Sequence, residues 1–192
     1  MLDHRAAALL AAITLTACGG QARGPGGVKL PDPIANASLF DTSGTRVGLA
    51  TFSEADGEGQ MGVSVSGLSP GQHGMHIYET GACTPPDFES AGSHFNPASK
   101  KHGLLNPEGP HAGDMPNLHL PRTGDFVIEL INSEVTLEKG KPNSLDVSDG
   151  SSLVIHAVKD DYRSDPAGNS GGRVACGVIT VDSSTVGRTP GK

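Results

Sequence analysis

The stretch "HGMHIYE", His73 to Glu79, carries two faces in one short run. His76 and Tyr78 are two apart, so on a β-strand they share a face, while His73, Met75 and Ile77 share the other. The pattern predicts a strand with one core face and one face bearing an imidazole and a phenol. The same short alternation recurs in "VGLATF" (47–52), "MGVSVSGL" (61–68), "FVIELI" (126–131), "SLVIHAV" (152–158) and "RVACGVITV" (173–181). No window sustains a 3.6-residue period. "SEADGEGQ" (53–60) has the composition of a hairpin turn. With Gly 27, Pro 14 and only 4% aromatic residues in 192, turns and short strands are favoured over a helical bundle. The expected fold is all-β, a sandwich or flattened barrel with two long loops, Thr80–Gly124 and Asp160–Gly172. Loops longer than about 15 residues need a reason, and binding is a common one.

The chain is expected to divide into a signal segment (1–17), a flexible tether (18–34), a folded domain (35–182) and a tail (183–192). Ala6 to Thr16 is an uncharged run, too short to span a membrane and suited to an export signal. It ends in Leu15-Thr16-Ala17-Cys18-Gly19, which resembles a bacterial lipobox. That resemblance implies cleavage before Cys18, lipid on its thiol, and a membrane-anchored protein of the cell envelope or periplasm. The alternative is a plain secreted protein with an incidental cysteine. "GGQARGPGGVKLPDP" (19–33) reads as the tether. If lipid consumes Cys18, Cys83 and Cys176 remain to form a disulfide in an oxidising compartment. A net charge of -7 argues against a nucleic-acid partner.

The first loop contains "SAGSHFNPASKKHGLLNPEGPHAGD" (90–114). His94, His102, His111 and Asp114 supply three imidazoles and a carboxylate, a tetrahedral N3O set suited to zinc. Such an ion would hold a polar, Gly/Pro-rich loop that its own apolar content could not. Any one of these histidines alone would read as a surface residue. His76 and His156 lie in strands, where a lone histidine is more often a hydrogen-bonded core residue. His73 is read that way, and His119, without a partner by spacing, as surface.

Taken together, "HGMHIYE", "GSHFNP", "KHG", "GPHAGD", "LVIHAVKDDY" and "GGRVACGVI" resemble the exported bacterial copper/zinc superoxide dismutase family, in order from Ala35 to Ile179. The resemblance implies an eight-stranded Greek-key β-barrel of sandwich type. It implies superoxide as substrate, with zinc and copper as cofactors. His94 matches the histidine shared by both metals; His102, His111 and Asp114 match the other zinc ligands. His76 and His156 match two further copper ligands. Asp160 matches the carboxylate linking zinc and copper histidines, Arg173 the residue that orients the anion, and Cys83–Cys176 the family disulfide. Family members occur as monomers and dimers, so a homodimer is among the expected assemblies.

Tyr78 stands where the family has its fourth copper histidine. Three consequences are open. The phenol coordinates copper as phenolate, lowering the potential; or it hydrogen-bonds to bound water beside a three-histidine site; or its ring fills the space and excludes copper. In the last case the chain is a zinc-stabilised barrel without redox turnover.

Overall fold

The computed structural model describes residues 34–55, 58–122 and 125–182. The expected signal segment with Cys18, nearly all of the tether, and the tail lie outside the described residues. Among the described residues nine strands run in order: β1 (Ala35–Asp41), β2 (Arg46–Ala55), β3 (Glu58–Val65), β4 (Gly71–His73), β5 (Met75–Tyr78), β6 (Leu118–Leu120), β7 (Phe126–Asn132), β8 (Ser151–His156) and β9 (Arg173–Val181). Seven form one sheet in the order β5-β8-β9-β1-β2-β3-β7, and β4 pairs with β6. Every ladder is antiparallel. β4 and β5 are separated by Gly74 alone and pair into different sheets, so nine strand segments stand where the resemblance implies eight strands. A Cβ at Gly74 would lie 2.9 Å from that of Ser170, so a second loop presses on the break.

Period-two alternation builds the core. Along β1, Ala35, Ala37 and Leu39 face inward, and they meet Ala50, Val63, Met75, Ile77, Leu153, Ile155 and Ala175 from the other strands. The expected turn at 53–60 proves to be mostly strand: the β2–β3 ladder runs from Gly48↔Val65 to Ala55↔Glu58. Its polar residues have uses of their own. The Glu54 carboxylate accepts the Leu137 N–H at 2.6 Å and the Thr136 hydroxyl, tying the 133–150 segment to β2.

β8 departs from alternation, being buried on both faces. Leu153 and Ile155 enter the main core. Val154 packs outward with Tyr78, Phe88, Ala91 and Cys176, under the first long loop. The Cys83–Cys176 disulfide fixes that loop to β9 across 93 residues. Closing a chain segment of that length stabilises the fold by roughly 4–5 kcal/mol in the chain-entropy account. The outer face of β5-β8-β9 is thereby roofed, and the enclosed space holds the histidines.

Candidate metal centre

Backbone contacts bring the loop onto β5. Isolated bridges join Tyr78 to His94 and His76 to Asp114. Phe95 N–H donates to the Ile77 carbonyl at 2.9 Å, and Ile77 N–H to that of Gly113 at 2.8 Å. Gly113 permits this approach, since a Cβ there would stand 2.3 Å from the Ile77 oxygen. Segments distant in sequence thus converge: His76 and Tyr78 from β5, His156 from the end of β8, and His94, His102, His111 and Asp114 from the loop.

On the inner side, one atom from each loop residue meets at a point. Asp114 Oδ1 lies 3.0 Å from His94 Nδ1, 3.0 Å from His102 Nδ1 and 3.4 Å from His111 Nδ1. His94 Nδ1 and His111 Nδ1 are 3.4 Å apart. Donors bound at about 2.0–2.1 Å around a tetrahedral zinc would be about 3.3 Å apart. The donor set and its spacing therefore fit that ion. Asp114 is held for the task, because its Oδ2 accepts the N–H groups of Gly103 (2.8 Å) and His111 (3.0 Å).

The other side of His94 faces a second donor group. Among the described residues, His94 Nε2 and His76 Nδ1 are buried nitrogens without hydrogen-bond partners. The His76 ring stacks on His94 at 4.0 Å and meets His156 edge-on at 4.9 Å. His156 turns Nε2 into the same space, where the Tyr78 hydroxyl stands 3.1 Å away. His76, His94, His102 and Asp114 also place one ligand atom each within 4.8 Å of one another. His76 nevertheless belongs to this outer group, because its Nε2 is committed to Asp160 Oδ2 at 2.8 Å.

Asp160 joins the two groups: its Oδ1 faces His102 Nε2 at 3.1 Å and accepts the Tyr162 N–H at 2.6 Å. Its main chain is paired in both directions with the Asn117 side chain, at 2.8 and 2.9 Å. Gly168 gives it room, as a Cβ at that φ of +65° would fall 1.8 Å from Asp160 Oδ1.

Burial and hydrogen bonding set the charge states. Burial opposes ionisation of Asp114, yet hydrogen bonds from His102, His111 and His94 hold it far below the usual carboxylate range. Asp160 is likewise held low by His102 and His76 against its burial. Burial also depresses His102, but the two carboxylates outweigh it and carry the group up to about 9. Desolvation takes His76 down to about 3 and His156 down to about 4. It lowers His94 and raises Tyr78, the latter opposed by Arg173. Neutral imidazoles are the form that ligates metal.

Arg173 opens β9, its guanidinium 4.5 Å from the Tyr78 ring centroid. It donates to the carbonyls of Phe88 at 2.5 Å and Gly92 at 2.9 Å, so the loop fixes its aim. His73 is a buried core residue whose ring nitrogens meet the carbonyls of His156 (2.7 Å) and Ser69 (2.9 Å). His119 lies on β6 facing solvent. Sequence reasoning missed Asn117, Tyr162 and Gly168, which hold Asp160 in place. Only the "KDDY" run beside His156 hinted at them.

An antiparallel barrel roofed by a disulfide-pinned loop, with a buried His/Asp centre beneath, defines a class of metalloprotein. Residues 46–179 match the family described as copper/zinc superoxide dismutase (SODC). The chain belongs to that family. It is 50% identical over 145 residues to superoxide dismutase (Cu-Zn) 1 of Aquifex aeolicus, covering 75% of this chain and 86% of that one. It is 42% identical over 189 residues to superoxide dismutase-like protein YojM of Bacillus subtilis, covering 89% and 95%. The crystal structure of a SOD-like protein from Bacillus subtilis superposes with a TM-score of 0.72 at 40% identity, covering 74% of this chain and 96% of that one. A double mutant of the Bacillus protein, with a tyrosine and a proline each replaced by histidine, superposes with a TM-score of 0.73 at 41% identity, covering 74% and 95%.

Proposed function

We propose that the chain is an exported superoxide dismutase-type metalloprotein with an altered copper site. In this reading His94, His102, His111 and Asp114 hold zinc. His76, His94 and His156 face copper, with Tyr78 in the place of a fourth histidine. The observation that carries it is the meeting of three Nδ1 atoms and Asp114 Oδ1 at 3.0–3.4 Å, backed by the unpartnered nitrogens of His76 and His94. Bound copper supplies one-electron chemistry, by which two superoxide anions and two protons give O2 and hydrogen peroxide. The chain's own residues do the rest. Arg173 attracts and orients the anion at the mouth of the site. Asp160 fixes the presentation of His76 and His102, and the roofing loop limits access of water.

A second reading is favoured by one contact. The Tyr78 hydroxyl at 3.1 Å from His156 Nε2 satisfies a nitrogen that copper would need, which suits a zinc-stabilised barrel without turnover. Superoxide decay by pulse radiolysis, on copper- and zinc-loaded protein beside Tyr78→His, separates the two readings. Fast decay in the parent supports the enzyme; decay only in Tyr78→His supports the silent barrel. The lipobox-like run supports anchoring at Cys18 in the cell envelope. Cys18→Ser should release the protein from membranes, and continued membrane association would sink that part of the reading.

A further inference from the structure

The geometry points to the Tyr78 hydroxyl as an internal competitor of copper for the Nε2 lone pair of His156. The inference deepens the proposed function and rests on its assignment of His76, His94 and His156 to one metal position. His156 Nδ1 lies 3.0 Å from the Gly171 carbonyl oxygen. A carbonyl only accepts, so that nitrogen carries the ring proton and Nε2 carries the lone pair. The Tyr78 hydroxyl, 3.1 Å from Nε2, is then the donor.

His76 makes the contrast. Its Nε2 proton goes to Asp160 and its Nδ1 lone pair faces the site with no partner. His94 Nε2 is likewise unpartnered. Of the imidazoles facing the outer position, His156 alone is already capped. A buried polar atom without a partner is costly, so two nitrogens gain from a cation and the third gives up a hydrogen bond to take one.

The hydroxyl has little freedom to leave. Tyr78 is 2% exposed and packs among Phe88, Ala91, Val154 and Cys176. The guanidinium of Arg173 covers its ring and is itself held by two loop carbonyls. Displacing the phenol means disturbing the cluster under the disulfide-pinned roof. Losing the cap leaves the buried hydroxyl proton without an acceptor, while Arg173 still faces its oxygen, and that cost falls on copper uptake. Tyr78 is thus a residue that sets metal occupancy, and its effect stops at the outer position.

Tyr78→Phe removes one oxygen and keeps the ring, so it isolates the hydroxyl. The probe is Cu(I), delivered to the zinc-loaded full chain in competition with a chromophoric Cu(I) chelator. The expected result is roughly 3- to 10-fold tighter Cu(I) binding in Tyr78→Phe, with zinc content unchanged. In copper-free protein, the 15N signal of His156 Nε2 should move on Tyr78→Phe while that of His76 Nδ1 stays. Unchanged or weaker Cu(I) binding in the variant would overturn the inference. So would a phenolate-to-Cu(II) absorption band in the parent that Tyr78→Phe lacks, because the oxygen would then be a ligand. Parent protein that takes up no zinc would sink the broader reading instead, and the His156 nitrogen signal still decides the hydrogen bond in that case.

Discussion

Asp114→Asn keeps the shape of the side chain and removes one charge, and the groups around it determine the cost. The carboxylate has acceptors at both ends: Oδ1 toward three imidazole nitrogens, Oδ2 toward the N–H groups of Gly103 and His111. An amide has one acceptor end and one donor end. With its oxygen toward the backbone, its NH2 faces the imidazoles and offers a cation no lone pair. With its oxygen toward the imidazoles, its NH2 confronts two buried N–H donors. Each donor left without an acceptor costs about 1–3 kcal/mol, so two of them cost zinc binding about 4 kcal/mol at the middle of that range. That is a loss of roughly 10²- to 10³-fold in affinity. Zinc affinity is measured by chelator competition at neutral pH, with circular dichroism to verify the fold. Affinity within tenfold of the parent would refute the assignment of Asp114 as the carboxylate of the tetrahedral set.

Zinc uptake should also depend on pH through His102. Its metal-free imidazole is carried up to about 9 from 6.5 by Asp114 and Asp160. A raised folded value stabilises the metal-free fold fully below about pH 6.5, and this is lost as pH rises through about 9. Zinc at Nδ1 displaces that proton, so apparent zinc affinity should rise about tenfold per pH unit from about 7 to 9; a flat profile across that window would contradict it. Reduction of Cys83–Cys176, spanning 93 residues, should lower unfolding free energy by roughly 4–5 kcal/mol in urea titrations. A loss below about 1 kcal/mol would show that the roof is held by packing alone. Arg173→Ala should slow superoxide decay on copper-loaded protein and flatten its salt dependence; an unchanged salt slope would remove the guanidinium from anion guidance.

The strand alternation made most of the barrel legible, since β7, β8 and β9 begin or end within a residue or two of their apolar runs. β1 and β6 escaped. Inward positions Ala35 and Ala37 are small and give weak contrast with their neighbours, and β6 is three residues long, formed only by pairing with β4. The turn-like composition of 53–60 marked the β2–β3 hairpin but overstated its turn, since pairing continues to Ala55↔Glu58, and no local pattern reveals the tie from Glu54 to a distant segment. In the site, residue types and spacing along one loop suggested the inner donor set. The Tyr78–His156 contact was not legible: it joins residues 78 apart, and its meaning depends on which nitrogen of His156 carries the proton.

Asp160 turns these two donor groups into one object. Its carboxylate receives His76 Nε2 on one oxygen and His102 Nε2 on the other. Each contact fixes a ring so that Nδ1 is the atom offered to a cation, on the outer side for His76 and the inner side for His102. The carboxylate cannot shift toward one ring without leaving the other. Tyr162 N–H, the Asn117 side chain and the bare Cα of Gly168 hold it between them. Damage at Asp160 must therefore reach both positions, whereas damage at Tyr78 must reach one. Asp160→Ala should weaken zinc and copper binding by roughly 10- to 100-fold each, the usual effect of losing a carboxylate behind a ligating histidine. Tyr78→Phe should leave zinc untouched. Chelator titrations of the two variants side by side test the distinction. A loss confined to one metal at Asp160→Ala, as one-sided as the effect of Tyr78→Phe, would mean the two groups are independent sites that share only a ring.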